Sequence, residues 1–319
     1  MQRPAKPFTP VRFRLQPPNH MFNLKKVKNI TKKSSFNKSV LILGCVRDCE
    51  KTIDNDLRKI GKAFSFFNSI SWLLIESDST DKTVQKLEQI KKNINDLEYI
   101  TLGNLRSSIP LRTQRIAYCR NKYLNQMNHN PKYRNIDYVV IADFDGINSK
   151  ITQEGVQSSW DFDGWDVCTA NQDGPYYDIW ALRHQEWCPN DWFYEYEALS
   201  KLNSNHFYNM QKSLYSRMKV IPKNSKWIQV DSSFGGLAIY KKEVLKNLKY
   251  EGLNIYGQEI CEHVPLNLDL NTKGYKIYIN PKLVNAGWTE HTKSLKSIKH
   301  IIKKFLAHIQ FYFEIYFSK

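Results

Sequence analysis

The chain has 319 residues, 41% of them hydrophobic and 13% aromatic, which supplies enough apolar surface for a large folded domain and excludes a mainly disordered protein. It contains no run of about 18 uncharged apolar residues, and no apolar segment follows the basic N-terminus, which argues against a membrane-spanning helix and a secretory signal. The net charge of +16 is concentrated at the ends, because residues 1–38 carry +10 and residues 292–319 carry +5.

The charge distribution indicates the kind of partner. The middle of the chain, residues 39–291, carries a net charge of only +1. A nearly neutral body with two basic ends fits attachment to an anionic membrane surface better than binding in a nucleic-acid groove. The sequence therefore predicts a membrane-surface partner and no nucleic acid.

The six cysteines are too sparse for the disulfide framework of a small secreted domain. Cys45 and Cys49 are four residues apart, but no second pair with zinc-ligand spacing follows them. We therefore expect reduced thiols in a cytoplasmic protein, and no structural zinc.

The N-terminal segment has no helical or strand periodicity. Five of the twelve prolines fall within residues 1–18, and a Lys/Asn/Ser-rich stretch follows. We expect residues 1–38 to be a disordered basic leader or linker. Met21 begins a sequence typical of a natural start, which leaves residues 1–20 open to either a native or a vector-derived origin.

From Ser39 onward, apolar runs alternate with amphipathic stretches. Continuous apolar runs are typical of parallel strands covered on both faces, and they predict strands over 39–44, 72–75, 99–102 and 137–142. Apolar residues at helical spacing predict helices over 53–67, 83–94 and 113–127. Repeated β-α-β units favour an α/β fold with a mostly parallel sheet covered by helices. Ligands of such sheets bind at the carboxyl ends of the strands.

Two carboxylates, Asp143 and Asp145, follow the fourth predicted strand directly. Alternation along an extended chain puts both on the same side, where their oxygens suit a divalent cation such as Mg²⁺ or Mn²⁺ that also binds phosphate. The alternative is an ordinary polar loop after a strand.

The second predicted strand ends in Glu76-Ser-Asp78-Ser-Thr-Asp81. Helix capping explains Ser79 to Asp81, because their side chains can accept hydrogen bonds from free N–H groups. Capping does not explain Glu76, since a carboxylate at the end of an interior strand is costly unless something binds it.

Together these residues resemble the GT-A family of nucleotide-sugar glycosyltransferases. The first strand leads into Leu43-Gly-Cys-Val-Arg47-Asp48, the second ends in the acidic turn after Ile75, and the fourth ends in Asp-x-Asp. The helix segment Arg115-Ile-Ala-Tyr-Cys-Arg120-Asn121 is similar to that of capsule-associated mannosyltransferases and their bacterial relatives. The resemblance covers residues 39–291, with a nucleotide-sugar half over 39–148 and an acceptor half over 149–291.

The resemblance implies roles for the donor half. Glu76 would read the nucleotide base, with Arg47 and Asp78 nearby, and the donor would be a UDP- or GDP-sugar. Asp143 would face the ribose and a metal-bound water, and Asp145 would bind Mn²⁺ or Mg²⁺ on the donor diphosphate. Arg115 and Arg120 also belong to the predicted donor site and would face phosphate. The alternative is that both are solvated on the helix surface.

The second half is expected to form the acceptor site. The segment 176–183 places aromatic rings beside an acid and a base, which suits sugar binding but is also ordinary core composition. A glycine pair before an apolar strand permits close approach of a ligand, or only a tight turn. The acceptor residues predicted from these two segments are Tyr177, Asp178, Trp180, Arg183, Gly235 and Gly236.

Glu262 resembles the general base that deprotonates the acceptor hydroxyl in inverting GT-A enzymes. The alternative is a carboxylate at a helix N-terminus, stabilised by the helix dipole. His263 and His291 are candidate metal or phosphate contacts, with packing or a surface position as the alternative for each. We take His291 as a third metal ligand.

The C-terminal segment 292–319 is predicted to be a basic amphipathic helix. Apolar residues such as Ile298, Ile302 and Phe305 recur at helical spacing against lysines such as Lys299 and Lys303. Such a helix binds a membrane interface, or else docks on the protein's own body.

The sequence therefore predicts a metal-dependent glycosyltransferase that moves a hexose from a nucleoside diphosphate to a glycan or glycolipid. The resemblance implies cell-surface polysaccharide or lipopolysaccharide synthesis, at the inner face of a membrane. Two alternatives stay open: a non-catalytic protein that binds polyanions or membranes, and a nucleotidyltransferase that also uses paired acids.

Overall fold

The computed structural model describes residues 36–293 and residue 295. The leader prediction for residues 1–35 and most of the predicted C-terminal helix therefore lie outside the described residues. The first strand begins at Phe36, three residues before the predicted start of order at Ser39. The Phe36 ring packs edge-on against Phe67 at 5.0 Å, and Lys38 forms an ion pair with Asp137, so residues 36–38 belong to the folded body.

The first half alternates strands and helices as predicted, with shifted boundaries. Its elements are β1 (Phe36–Val46), α1 (Ile53–Ala63), β2 (Phe67–Glu76), α2 (Thr83–Lys91), β3 (Leu97–Thr101), α3 (Arg112–His129) and β4 (Tyr138–Ala142). The predicted first helix extended to Phe67, but that residue begins β2.

The second half contains more regular structure than the sequence indicated. Its elements are α4 (Gln153–Gln157), β5 (Val167–Gln172), α5 (Trp192–Leu202), α6 (His206–Ser213), β6 (Ile228–Val230), β7 (Leu237–Lys241), α7 (His263–Thr272), β8 (Ile277–Ala286) and α8 (Glu290–Lys293). The predicted helical turn at 266–270 lies within α7.

The eight strands of residues 36–293 form one sheet, in the order β3-β2-β1-β4-β7-β5-β8-β6. Of these eight, β7 and β6 run against the other strands. This confirms the predicted α/β class with a mostly parallel, helix-covered sheet. Val46 of β1 pairs with Glu76 of β2, and Leu43 pairs with Ile141 of β4, so the polar segments that follow these strands meet at one edge.

The sheet is buried on both faces, which is why its central strands are continuous apolar runs. Leu41 and Leu43 of β1 contribute to the cluster that includes α3, whereas Val40 and Ile42 contribute to the cluster that includes α1 and α2. Helices on both faces thus fix the strand ends at which the candidate site lies.

All six cysteines are free thiols, in agreement with the expectation from their spacing. In the part of the chain that the structure describes, no helix combines the length and apolarity needed to cross a bilayer.

Candidate active site

A cleft of about 490 Å³ opens at the carboxyl ends of β1, β2 and β4. It contains most of the predicted functional residues, although they come from distant parts of the chain. Those that line it are Arg47, Asp78, Arg115, Arg120, Asp143, Asp145, Tyr177, Asp178, Trp180 and Glu262. The topology therefore brings the predicted donor and acceptor residues into one cavity.

The turn that carries Asp143 and Asp145 is held from two sides. The N–H of Asp143 donates to the carbonyl of Gly236 at 3.0 Å. Thr52, which precedes α1, donates from Oγ1 to the carbonyl of Phe144 at 2.9 Å, and Asp56 Oδ2 of α1 accepts the N–H of Gly146 at 2.9 Å. The backbone of the turn is thus fixed, and both carboxylates line the cleft.

Asp56 was not predicted as part of this site. It is fully buried, and burial raises its pKa to about 6, with the charge of Asp145 acting in the same direction and the N–H of Gly146 against it. The sequence did contain a signal, because Asp56 falls on the apolar stripe of α1 with Ile53 and Ile60. An acid on a buried stripe requires a partner.

Arg120 occupies the centre of the cleft wall and connects its two halves. The buried guanidinium donates from Nε to Glu262 Oε1 at 2.8 Å and from Nη1 to Tyr123 Oη at 3.0 Å. Its Nη2 lies 3.6 Å from Asp143 Oδ1. Burial raises the pKa of Asp143 to about 7, while Arg120 acts in the opposite direction. Arg120 therefore links the Asp-x-Asp turn to the predicted base.

The acid pair fits a divalent cation shared with a ligand. Among the described residues, no three His, Cys, Asp or Glu side chains come close enough to enclose a metal ion. Asp143 and Asp145 nevertheless offer hard carboxylate oxygens on the cleft wall, and Mg²⁺-type cations take their remaining ligands from phosphate and water. His291, predicted as a third ligand, stacks on Tyr177 with 5.7 Å between ring centroids, and its role as a ligand stays a prediction.

Glu76 lies in a second cavity that adjoins the cleft and shares Arg47 and Asp78 with it. The Glu76 side chain is buried, and its Oε1 accepts the N–H of Ser79 at 3.0 Å. Its Oε2 is buried and has no hydrogen-bond partner in the part of the chain that the structure describes. A buried carboxylate oxygen without a partner is costly, so the position suits an N–H group of a ligand.

Two residues predicted for the donor-sugar site, Arg115 and Asp78, bind other groups of the protein. Arg115 donates from Nη1 to the carbonyls of Ile109 and Pro110 at 2.8 and 2.6 Å, and its Nε lies 3.7 Å from Asp78 Oδ2. Asp78 Oδ1 accepts the N–H of Arg106 at 2.8 Å. These contacts brace the loop before α3, which corrects the prediction that Arg115 faces phosphate.

The cations left exposed in the cleft are Arg47 and Arg112. Arg47 forms a surface ion pair with Asp48, with 3.1 Å between Nε and Oδ2. Arg112 begins α3 and lines the cleft, but the sequence analysis did not single it out. The sequence offered little reason to select Arg112, because it is one of several arginines near the start of a helix and such arginines are usually solvated.

On the acceptor side, Tyr177, Asp178 and Trp180 line the cleft where the sequence placed them. Asp178 Oδ2 accepts the N–H of Gly235 at 2.9 Å. Burial raises the pKa of Asp178, and its backbone hydrogen bonds act against this shift. The segment therefore presents two aromatic rings and a hydrogen-bonded acid to the cavity.

Three predicted acceptor residues have structural roles instead. Arg183 donates to the carbonyls of Trp180 and Leu182 and pairs with Asp191 at 2.7 Å. Gly235 and Gly236 are buried with φ of +70° and +85°, and a Cβ on either would lie within 3.0 Å of protein atoms. The glycine pair thus allows other segments of the same chain, and not a ligand, to pack closely at these two positions.

The first-strand loop, the Glu76 turn and the Asp-x-Asp turn therefore meet at one edge of the sheet, in the order that the resemblance implied. The described residues thus form an α/β fold with one eight-stranded, mostly parallel sheet, the class that the resemblance implied. Glu262 and the 177–180 segment, from the second half of the chain, line the same cleft as Asp143 and Asp145.

The sequence matches no protein-family model and no curated protein. Among solved structures, S. aureus TarS 1–349 matches at 14% identity and TM-score 0.43, over 86% of this chain and 72% of that one. Mannosyltransferase PcManGT from Pyrobaculum calidifontis, in complex with GDP-Man and Mn²⁺, matches at 14% identity and TM-score 0.47, over 87% and 66%. Glucosyl-3-phosphoglycerate synthase from Mycobacterium tuberculosis, in complex with UDP, matches at 13% identity and TM-score 0.40, over 78% and 69%. At this distance the likenesses do not assign a function.

Proposed function

We propose that the protein is a glycosyltransferase that moves a sugar from a nucleoside diphosphate to a glycan or glycolipid. The observation that carries the proposal is the chain of contacts from Asp143 through Arg120 to Glu262. It joins a pair of acids suited to a metal-bound diphosphate with an acid on the acceptor side, inside one cleft. An inverting sugar transfer needs the departing diphosphate and the base on opposite sides of the reacting carbon.

The donor half would hold the nucleotide sugar as follows. Glu76 Oε2 would accept an N–H of the base, and Arg47 and Arg112 would contact phosphate oxygens. Asp145 and Asp143 would hold Mn²⁺ or Mg²⁺, which when bound supplies positive charge to stabilise the departing diphosphate. Arg120 orients the Asp143 carboxylate from behind and is not itself a phosphate contact in this proposal.

The acceptor half would bind the sugar that receives the hexose. Tyr177 and Trp180 offer aromatic faces on which a sugar ring can stack, and Asp178 offers a carboxylate for its hydroxyl groups. Glu262 lies at the junction of the two halves, where the acceptor hydroxyl meets the donor. We propose cell-surface polysaccharide synthesis as the setting, from the similarity of the Arg115–Asn121 segment to capsule-associated mannosyltransferases.

The Glu76 geometry favours UDP over GDP as the donor nucleotide. Uracil presents a single N–H donor, which the unpaired Oε2 matches, whereas guanine presents two adjacent donors and would have to share Oε1 with the N–H of Ser79. Glu76→Gln should weaken UDP binding about 10- to 100-fold, the loss expected when a hydrogen bond to a charged group is removed. Calorimetric titration of UDP and GDP with Mn²⁺ measures both effects.

Glu154→Gln is the matched control, because Glu154 is exposed on α4, far along the chain from this turn. Tighter binding of GDP than of UDP would contradict the base assignment. Equal UDP affinity in the Glu76 and Glu154 variants would remove Glu76 from the nucleotide site.

Membrane attachment is proposed through the segment 292–319. Each of Lys296, Lys299, Lys303 and Lys304 would contribute on the order of 1 kcal/mol near an anionic surface. Deleting residues 296–319 should release the protein from phosphatidylserine vesicles, and salt should weaken binding of the full chain. Flotation assays at two salt concentrations measure this, and vesicle binding that survives the deletion in a folded protein would contradict it.

The function itself is tested by a screen of nucleotide sugars for hydrolysis in the presence of Mn²⁺. We expect slow release of the nucleoside diphosphate from at least one UDP-sugar, and none after removal of the metal with a chelator. A folded protein that neither binds nor hydrolyses any nucleotide sugar would favour the non-catalytic alternative.

A further inference from the structure

His263 is a buried histidine of the cleft wall, and it has no part in the proposed donor and acceptor sites. It is the first residue of α7, lines the cleft next to Glu262, and is only 2% exposed. Among the described residues, neither of its ring nitrogens has a hydrogen-bond partner. Buried polar groups are almost always hydrogen-bonded, so an unpaired imidazole at the wall of a cleft indicates a ligand that completes it.

The ring is held firmly in place. It stacks on Phe234 with 3.8 Å between centroids and an interplanar angle of 18°, and it contacts the edge of Tyr250 at 5.6 Å. The same two rings also lie under the Arg120 guanidinium, at 5.4 and 5.6 Å. His263 therefore has a fixed orientation relative to Arg120 without any hydrogen bond that would occupy its nitrogens.

The buried position of His263 and the nearby Arg120 guanidinium keep the ring neutral. Burial and the neighbouring Arg120 hold the pKa of His263 well below its usual range. A neutral imidazole carries one nitrogen lone pair that can accept a proton. Among the described residues no group uses that lone pair, and His263 belongs to the cleft lining, so a hydroxyl group bound against this wall would be its partner.

Glu262 is less free to accept a proton than its position in the sequence suggests. Its Oε1 accepts the Arg120 Nε–H at 2.8 Å, so the carboxylate is the counter-charge of a buried guanidinium. The same oxygen lies 3.7 Å from His263 Nε2. A protonated His263 would thus lie between the Glu262 carboxylate, which favours the charge, and the Arg120 guanidinium, which opposes it.

We propose that His263 is a catalytic residue that takes the proton of the acceptor hydroxyl, with Glu262 stabilising the imidazolium that results. The inference rests on the proposed function. The acceptor oxygen forms a bond to the anomeric carbon of the donor sugar as the bond from that carbon to the diphosphate oxygen breaks. The electron pair of the broken bond leaves with the diphosphate, and the hydroxyl proton moves to the free ring nitrogen of His263.

Three substitutions test this role, with water as the acceptor and the UDP-sugar that the wild-type protein hydrolyses as the donor. His263→Phe keeps an aromatic ring on Phe234 and removes an unpaired polar group, so it should melt no lower than the wild type. His263→Asn keeps polarity without basicity. Both should slow diphosphate release by roughly 10²-fold or more, with unchanged affinity for UDP.

His263→Ala should lose activity similarly and recover part of it when imidazole is added. The control is His129→Asn, at the exposed end of α3, which should behave as the wild type. A folded His263→Phe protein that hydrolyses the donor at the wild-type rate would overturn the inference and leave the proposed function standing. A wild-type protein that binds and hydrolyses no nucleotide sugar would overturn both.

Discussion

Replacing Asp145 by Ala should abolish nucleotide-sugar turnover and Mn²⁺-dependent nucleotide binding while the fold persists. Asp145 is exposed in the cleft, and its described hydrogen bond is the one that Oδ1 accepts from the N–H of Ile147 at 3.1 Å. Its removal therefore costs little packing. It does remove a carboxylate positioned for the cation, and Mg²⁺-type sites with few protein ligands depend on each of them.

The measurements are the rate of diphosphate release, the Mn²⁺ dependence of UDP affinity, and the melting temperature. Asp163→Ala, at an exposed position after α4, is the matched control and should change none of them. Wild-type turnover in a folded Asp145→Ala protein would contradict the assignment of the acid pair.

Replacing Glu262 by Gln should reduce sugar transfer by roughly 10²- to 10⁴-fold while UDP binding survives. The amide keeps the shape of the side chain but removes the negative charge beside Arg120 and His263. Loss of that charge would also lower stability, because it leaves the buried guanidinium with Asp143, 3.6 Å away, as its nearest carboxylate.

Single-turnover rates with a bound UDP-sugar separate transfer from binding, and thermal melting measures the stability loss. Glu251→Gln is the control, since its carboxylate faces solvent near Lys249. Unchanged transfer in the Glu262→Gln protein would show that the carboxylate takes no part in the reaction.

The first half of the sheet could be predicted because its strands are buried on both faces. Continuous apolar sequences in β1, β2 and β4 follow directly from that burial, and the acids after them mark the strand ends. Boundaries were less accurate. Helix α1 ends at Ala63 and not at Phe67. The prediction extended too far because Phe64 and Phe66 continue the apolar pattern of the helix, although they pack in the turn to β2.

Strands β5 and β8 were not predicted, because their buried positions include polar residues. Asn171 of β5 donates to the carbonyls of Ile221 and Pro281 at 3.0 and 2.9 Å. Strand β8 contains a proline and two asparagines, which normally indicate a loop. Most hydrogen-bond partners of these side chains are distant in the sequence, so the pattern of one segment could not identify them.

The position of a site residue was predicted well where the functional side chains lie in one segment, and less well where their partners come from distant segments. Asp143, Asp145 and the 177–180 segment line the cleft as expected. Arg115 and Arg120 look equivalent in the sequence, yet one braces the loop before α3 and the other binds Glu262, 142 residues away. The wrong prediction for Gly235 and Gly236 has the same origin, since the groups that crowd them are not adjacent in sequence.

The most direct test of the central claim is ³¹P NMR analysis of the products formed from UDP-sugars with Mn²⁺. The account predicts that the wild-type protein releases UDP, with the sugar transferred to an acceptor or to water. Release of pyrophosphate would indicate nucleotidyl transfer and contradict the account.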